Sequence, residues 1–128
     1  MTSSCPVEEQ SNPLLDPSSF IFPGLLSSTT LIIEFCDRCR WLHRATWVQT
    51  ELFLTFPPPT IGCISLIPLN QEDTAGRFRV WLSKKDDSGP QLIWDRKVEG
   101  GFPELKALKQ RIRDVLEPGK SLGHSDRK

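Results

Sequence analysis

The chain has 128 residues, which is enough for one domain with a modest hydrophobic core. Its 16 basic residues balance its 16 acidic ones, and zero net charge argues against a dedicated nucleic-acid-binding protein. Only two of the four cysteines are close in sequence, unlike the disulfide framework of a small secreted domain. Acidic residues stand where a signal peptide needs a basic start, and no apolar run approaches the roughly 18 residues of a membrane span. We therefore expect a cytoplasmic protein that binds neither nucleic acid nor membrane.

Residues 1–29 differ in composition from the rest of the chain. They contain four prolines and many serines, without a sustained hydrophobic period, which predicts a disordered or loosely docked N-terminal extension. An apolar cluster within it either docks on the domain or binds a partner protein. Docking is favoured because large exposed apolar patches are uncommon on monomers. The cluster consists of Phe20, Ile21, Phe22, Leu25 and Leu26.

The first strand is predicted over Thr30–Phe35. Its apolar residues point to both faces, which favours a central position in a sheet that is covered on both sides. A Cys-x-x-Cys motif, formed by Cys36 and Cys39, follows at once. The next apolar residues step by four, three, four and four, as on one face of an α-helix, and prolines at 57–59 end this pattern. These residues are Trp41, Ala45, Val48, Leu52 and Phe56.

Three further strands are predicted after this helix. The helix is long enough to cross back over the sheet, so the strand Ile61–Ile67 should run parallel to the first. Arg77–Leu82 alternates between apolar and polar residues, which is typical of a half-buried strand. The charged segment 84–90 contains a Ser-Gly-Pro turn signal, and we interpret it as a solvated hairpin tip. Leu92–Asp95 should therefore return antiparallel to the third strand.

A second main helix closes the predicted domain. Pro103 suits the first position of this helix, and Pro118-Gly119 ends it. The element order is then β-α-β-β-β-α, an α/β domain with a four-stranded mixed sheet over residues 30–117. Residues 118–128 form a polar tail. The apolar face of the helix comprises Phe102, Leu105, Leu108, Ile112, Val115 and Leu116.

The cysteine pair is the candidate redox site. Two cysteines at this spacing, at the start of a helix, bring their sulfurs close enough to bridge. The helix N-terminus favours thiolate over thiol, and the thiolate is the nucleophile. A strand-loop-helix pattern around such a motif in a cytosolic chain is typical of a thioredoxin-like redox site. Flanking cations support the thiolate and two carboxylates oppose it: Arg38, Arg40 and Arg44 against Glu34 and Asp37.

Three other interpretations of the pair remain open. It could be half of a zinc site, but structural zinc needs four ligands and the other candidates are unpaired. It could belong to a metal-chaperone fold, although that fold ends on a strand and this chain ends on a helix. The cysteines could also be inert core residues, because free cysteine is often buried. The unpaired zinc candidates are Cys5, Cys63, His43 and His124.

Cys63 has two interpretations of its own. In the predicted second strand, it is expected to act as a small buried hydrophobe. The alternative is a third redox thiol that accepts glutathione.

Three sequence blocks in this order resemble the Rdx family, the selenoprotein W, T and H type of thioredoxin-like proteins. The first, from Ile32 to Leu42, contains the motif Cys36-Asp37-Arg38-Cys39. The second is Gly76–Val80, and the third is Ile93–Lys97 leading into 100–103. The resemblance covers about residues 30–117 and is closest to members with cysteine in place of selenocysteine.

The resemblance implies a thioredoxin-like fold and a thiol-disulfide oxidoreductase with Cys36 and Cys39 as its catalytic residues. It implies no tightly bound cofactor or metal; glutathione is a candidate co-substrate, and the partners would be thiols or disulfides of proteins or glutathione. The alternative is a redox-sensitive adaptor that binds a protein partner without catalysis. The N-terminal extension is a candidate partner-binding segment.

The nucleophile is predicted to be Cys39. It lies between two arginines, it matches the position at which relatives carry selenium, and Cys36 is joined directly to the strand. Thioredoxins attack with the first cysteine, which corresponds to Cys36. This chain lacks their Trp-Cys-Gly-Pro-Cys sequence, and it has no proline just before Arg77, where thioredoxins carry a cis-proline.

Overall fold

A computed structural model of the chain describes residues 12–20, 29–84 and 89–123. The predicted β-α-β-β-β-α order is confirmed, with one short helix in addition. The strands are β1 (Thr29–Cys36), β2 (Ile61–Leu69), β3 (Phe78–Ser83) and β4 (Pro90–Asp95). The helices are α1 (Leu42–Thr55), α2 (Arg96–Glu99) and α3 (Leu105–Leu116).

The four strands form one mixed sheet in the order β2-β1-β3-β4. β1 pairs parallel with β2 and antiparallel with β3, and β4 pairs antiparallel with β3. The predicted central position of β1 and the parallel second strand are thus confirmed. Because β1 is central, the residues at its carboxyl end lie between two hydrogen-bonded neighbours.

Both main helices lie on one face of the sheet. α1 packs on β1 and β2, α3 packs on β4, and the two helices contact each other. This face holds the core, in which alternate residues of β1 and β3 are fully buried beneath apolar residues of both helices. Large, fully buried side chains in this core include Leu31, Ile33, Phe35, Phe78, Leu52, Leu108 and Ile112.

The opposite face of the sheet is only half-buried, so the expectation that β1 is covered on both sides is wrong. Ile32 and Glu34 of β1 face this side, beside Trp81 and Arg79 of β3, and all four are intermediate in exposure. Both Arg79 Nε (2.6 Å) and Trp81 Nε1 (2.7 Å) donate to Glu34 Oε1. β1 therefore has one buried apolar face and one half-buried face, on which Ile32 lies beside the hydrogen-bonded Glu34.

Helix α2 was not predicted, and the start of α3 was predicted two residues too early. The Asp95 side chain caps α2 by accepting from the Lys97 N–H at 2.9 Å, and Gly100, with φ +84°, ends it. Pro103 is buried before α3, whose first helical residue is Leu105. A helix of one turn shows no periodicity in the sequence, because its side chains do not repeat.

The termini are described only in part. Residues 12–20 form two 3₁₀ turns, capped by Asn12 and Asp16, and β1 begins at Thr29, within the predicted extension. Of the apolar cluster, Phe20 is exposed and the other four residues lie outside the described residues. The middle of the predicted hairpin tip (85–88) and the end of the tail with His124 also lie outside them. None of the helices in the described ranges is long and apolar enough to cross a membrane.

Candidate functional site

The two motif cysteines occupy different kinds of backbone. Cys36 is the last residue of β1 and is fully buried, and its N–H donates to the Arg77 carbonyl at 2.9 Å. Cys39 is exposed and lies in a turn between β1 and α1. In this turn Arg40 N–H donates to the Asp37 carbonyl at 2.9 Å, and Arg40 has a left-handed φ of +62°. The predicted strand, loop and helix are confirmed around the motif.

The start of α1 does not hold the cysteines, contrary to the sequence expectation. α1 begins at Leu42, three residues after Cys39, and Trp41 is its N-cap. The free N–H groups at a helix start act mainly within the first turn. The groups that act on the sulfurs are therefore those of the turn itself and of a neighbouring loop.

The two sulfurs are in contact. Cys39 Sγ donates a hydrogen bond to Cys36 Sγ over 2.7 Å, and both cysteines are free. A disulfide bond is about 2.05 Å long, so only a small movement of either sulfur separates this pair from a bridge. The turn thus brings together one buried and one exposed thiol in a geometry suited to bridging.

Hydrogen bonds favour the thiolate of Cys36. Desolvation by burial raises the pKa of this thiol, but the bond from the Cys39 thiol and backbone N–H groups of Gly76, Cys39 and Arg38 lower it more, so the net pKa shift is downward. Each of these groups donates toward the sulfur and so stabilises its negative charge. Cys36 is the more acidic sulfur of the pair.

The environment of Cys39 has the opposite effect. Its hydrogen bond to Cys36 raises the pKa of the Cys39 thiol, because ionisation would remove the donated proton, and desolvation raises it further. The Gly76 N–H and the positive charge of Arg96 lower the pKa of Cys39 without reversing the net upward shift. The exposed Cys39 thiol therefore ionises at a higher pH than the buried Cys36 thiol.

Two residues that the sequence analysis gave no role complete the site. Gly76 precedes β3 with a left-handed φ of +77°, a conformation that glycine adopts readily, and its N–H acts on both sulfurs. Arg96 Nη1 donates to the Gly76 carbonyl at 3.2 Å. Gly76 fills the position at which the chain lacks the cis-proline of thioredoxins, and proline has no N–H to offer. Both residues lie in the sequence blocks that carry the family resemblance, and this resemblance is the signal by which the sequence could have identified them.

A family comparison agrees with this geometry. A model of the Rdx family matches residues 30–114, which is more than half of the chain. The chain belongs to the Rdx family. The matched range includes the cysteine pair, Gly76 and Arg96, and thus the whole site described above.

Two solved structures resemble this Rdx protein. The selenoprotein W-related protein from Vibrio cholerae is 37% identical with a TM-score of 0.59, over 70% of this chain and 99% of that one. A protein from Bordetella parapertussis is 40% identical with a TM-score of 0.57, over the same shares of the two chains. A comparison with curated proteins found no match. The thioredoxin-like fold expected from the resemblance is confirmed.

Cys63, another of the candidates from the sequence, lies apart from the site of this Rdx protein. Cys63 of β2 is half-buried, pairs with Thr30 of β1 and has its Sγ 3.7 Å from Ser65 Oγ. Thr30 precedes Cys36 by six residues, or about 20 Å along the strand, so Cys63 lies far from the motif sulfurs. No three potential metal ligands converge within the described ranges, and Cys5 and His124 lie outside them. His43 lies in the first turn of α1.

Proposed function

We propose that this Rdx protein is a thiol-disulfide oxidoreductase that acts through Cys36 and Cys39. The observation that carries the proposal is the 2.7 Å contact between two free sulfurs, of which one is exposed and one is buried. Such a pair can exchange with an external disulfide and then close on itself. Its substrates would be disulfides of proteins or of glutathione, without a tightly bound cofactor.

Accessibility assigns the first attack to Cys39. Cys36 ionises more readily but is buried, so an incoming disulfide meets Cys39 first. Transfer of the shared proton from Cys39 to Cys36 makes Cys39 the thiolate. Cys39 Sγ then attacks one substrate sulfur, forms a mixed disulfide and releases the other substrate sulfur as a thiolate.

Cys36 resolves the mixed disulfide. After it loses its proton to solvent, its sulfur attacks Cys39 Sγ, and the second substrate sulfur leaves as a thiolate. The substrate disulfide has gained two electrons, and Cys36 and Cys39 are joined by the new disulfide. A thiol reductant of the glutathione or thioredoxin class would return the pair to its reduced form.

A cleft beside the turn is the proposed docking place for the substrate. It has a volume of about 580 Å³ and is open to solvent. Two arginines against one carboxylate make it suited to an acidic peptide or to the carboxylates of glutathione. Its lining residues are Asp37, Arg38, Arg40, Leu42, His43 and Asn70.

Trapping tests the proposal. Cys36→Ser removes the resolving sulfur, so Cys39 should remain linked to substrates as a reducible mixed disulfide. Cys39→Ser leaves only the buried sulfur and should trap far less. Cys63→Ser is the matched control, since it removes a cysteine far from the site and should leave trapping by the Cys36→Ser background unchanged. Absence of mixed disulfides with Cys36→Ser, together with a wild-type pair that never oxidises, would contradict the proposal.

A second candidate function is the redox-sensitive adaptor. The observation that favours it is an exposed apolar strip on α1, in which Trp47 and Leu54 are 58% and 71% exposed. They are seven residues apart and therefore lie on the same side of the helix. A partner complex that persists in the double variant Cys36→Ser/Cys39→Ser and is lost in Trp47→Ala would establish the adaptor.

A further inference from the structure

We propose that Arg96 is a positioning residue of the redox site. It fixes the backbone around Gly76 so that the Gly76 N–H faces both sulfurs, and its charge favours the thiolate of Cys39. This inference deepens the proposed function and rests on it for its biological meaning.

Hydrogen bonds hold the Gly76–Arg77 peptide on two sides. Arg96 Nη1 donates to the Gly76 carbonyl of this peptide at 3.2 Å. The Arg77 N–H of the same peptide donates to the Thr74 carbonyl at 3.1 Å. The peptide is therefore held at both its oxygen and its nitrogen. Gly76 joins this peptide to the one that carries its own N–H, and these bonds limit the backbone rotation that a glycine otherwise allows at that point.

Arg96 is itself held in place. Its backbone carbonyl accepts from the N–H groups of Gly100 and Gly101 at 2.9 and 3.0 Å, which closes the single turn of α2. Its guanidinium lies over the rings of Trp41 and Phe102, with 4.8 and 5.2 Å to their centroids. Trp41 caps α1, so the arginine links the turn that carries Cys39 to the loop that carries Gly76.

The positive charge of Arg96 also contributes to the site. Among the described residues, Arg96 Nε is buried and has no hydrogen-bond partner, an arrangement that costs free energy. An apolar side chain in this place would avoid that cost, which fits a role for the positive charge. The guanidinium acts on the exposed sulfur and lowers the pKa of Cys39, against the upward effect of the bond to Cys36.

The experiment measures the pH dependence of Cys39 alkylation in the full-length reduced protein. Arg96→Gln removes the charge and the guanidinium, and Arg96→Lys keeps the charge without the planar fork. The control is Arg44→Gln: the sequence grouped Arg44 with the cations that flank the motif, but in the structure it lies on α1 over the Phe102 ring, at 4.0 Å, and is not among the main groups that act on either sulfur. Iodoacetamide labelling of the Cys39 peptide is followed by mass spectrometry, and thermal unfolding of each variant is recorded in parallel.

Arg96→Gln should shift the alkylation profile to higher pH and slow labelling at neutral pH by about three- to tenfold, because a shift of one pKa unit changes the thiolate fraction tenfold. Arg96→Lys should lie between this variant and the wild type, and Arg44→Gln should match the wild type. If Arg96→Gln does not fold, the Arg96→Lys profile decides the question.

A profile unchanged in folded Arg96 variants, or an equal shift in Arg44→Gln, would overturn the inference. Alkylation needs no disulfide substrate, so this outcome is separate from the trapping experiment. If trapping fails while the Arg96 variants shift the profile, the proposed function fails and the positioning of the thiols stands.

Discussion

The two sulfurs of the site differ in acidity and in access, and the two differences oppose each other. Cys36 has the lowered pKa but is fully buried, whereas Cys39 has the raised pKa but is exposed. A reagent in solution must reach a sulfur before acidity matters. We therefore expect access to determine which cysteine reacts first.

Iodoacetamide should modify Cys39 at least about tenfold faster than Cys36 in the native reduced protein, because the buried sulfur is shielded from solvent. The rates are measured by mass spectrometry of the labelled peptides. In urea the two rates should become similar, which shows that the fold causes the difference. Faster native labelling of Cys36 would reverse the assignment of the two cysteines while leaving the oxidoreductase class intact.

At the residue scale the sequence located the pair but not its electrostatics. The spacing of Cys36 and Cys39 and the direct attachment of Cys36 to the first strand followed from local pattern. The predicted support of Cys39 by its neighbouring arginines did not anticipate Arg96, which comes 57 positions later in the chain. Contacts of this kind depend on the packing of distant elements, and no local periodicity contains them.

At the scale of elements, a half-buried polar network on the open face of the sheet joins two strands. The side chains of Glu34 and Arg79 are 17% and 24% exposed, and they bridge the central strand β1 and its neighbour β3. Desolvation raises the pKa of Glu34, but hydrogen bonds from Arg79 and Trp81 and the nearby positive charges lower it more. The folded state thus stabilises the carboxylate.

Glu34→Gln should lower the free energy of unfolding at neutral pH by about 1–2 kcal/mol, because Arg79 loses its charged partner. Since the pKa of Glu34 is lower in the folded protein, its stabilisation is full above the ordinary glutamate pKa. It is lost as the pH falls through the folded pKa. The variant and the wild type should therefore converge in acid, as measured by urea unfolding at several pH values.

Glu51→Gln is the control for this prediction. Glu51 pairs with Lys109 between α1 and α3 at 3.3 Å, and its side chain is 31% exposed. Its loss should cost less than about 0.5 kcal/mol at neutral pH, as for other partly exposed ion pairs. If the two substitutions lowered the free energy of unfolding equally, the network on the sheet would stabilise the fold no more than a partly exposed ion pair does.

The longer helices and strands were easier to predict from the sequence than the short ones. The apolar steps from Ala45 to Leu52 fixed α1, and the alternation in Phe78–Leu82 fixed β3, because each spans several repeats of its period. α2 has a single turn and left no such signal. Pro103 was compatible with a helix start, but the local sequence did not decide whether the helix would begin there or at Leu105.

At the scale of the whole molecule, a shorter relative indicates how much of the chain this fold requires. The relative from Vibrio cholerae matches over 99% of its own length but over only 70% of this chain. A chain of that length therefore forms this fold without counterparts of the remaining residues. The sequence predicts a domain at 30–117, with an N-terminal extension before it and a polar tail after it.

A truncated chain of residues 29–123 should fold and unfold cooperatively, with a free energy of unfolding within about 1 kcal/mol of the full-length value. Chemical denaturation followed by tryptophan fluorescence measures both proteins under the same conditions. A loss of about 2 kcal/mol or more would show that the apolar cluster at 20–26 docks on the domain, which is the interpretation the sequence favoured. A small loss would leave this cluster available to a partner protein.

The position of Cys36 at the end of the central strand has a mechanical consequence. Its neighbours on both sides hold the strand end, through the Arg77 carbonyl on one side and the pairing with Leu69 on the other. Cys39 is carried by a four-residue turn that ends in the left-handed Arg40. On the proposed mechanism, a substrate tethered to Cys39 would pull on this turn, while Cys36 stays fixed in the sheet.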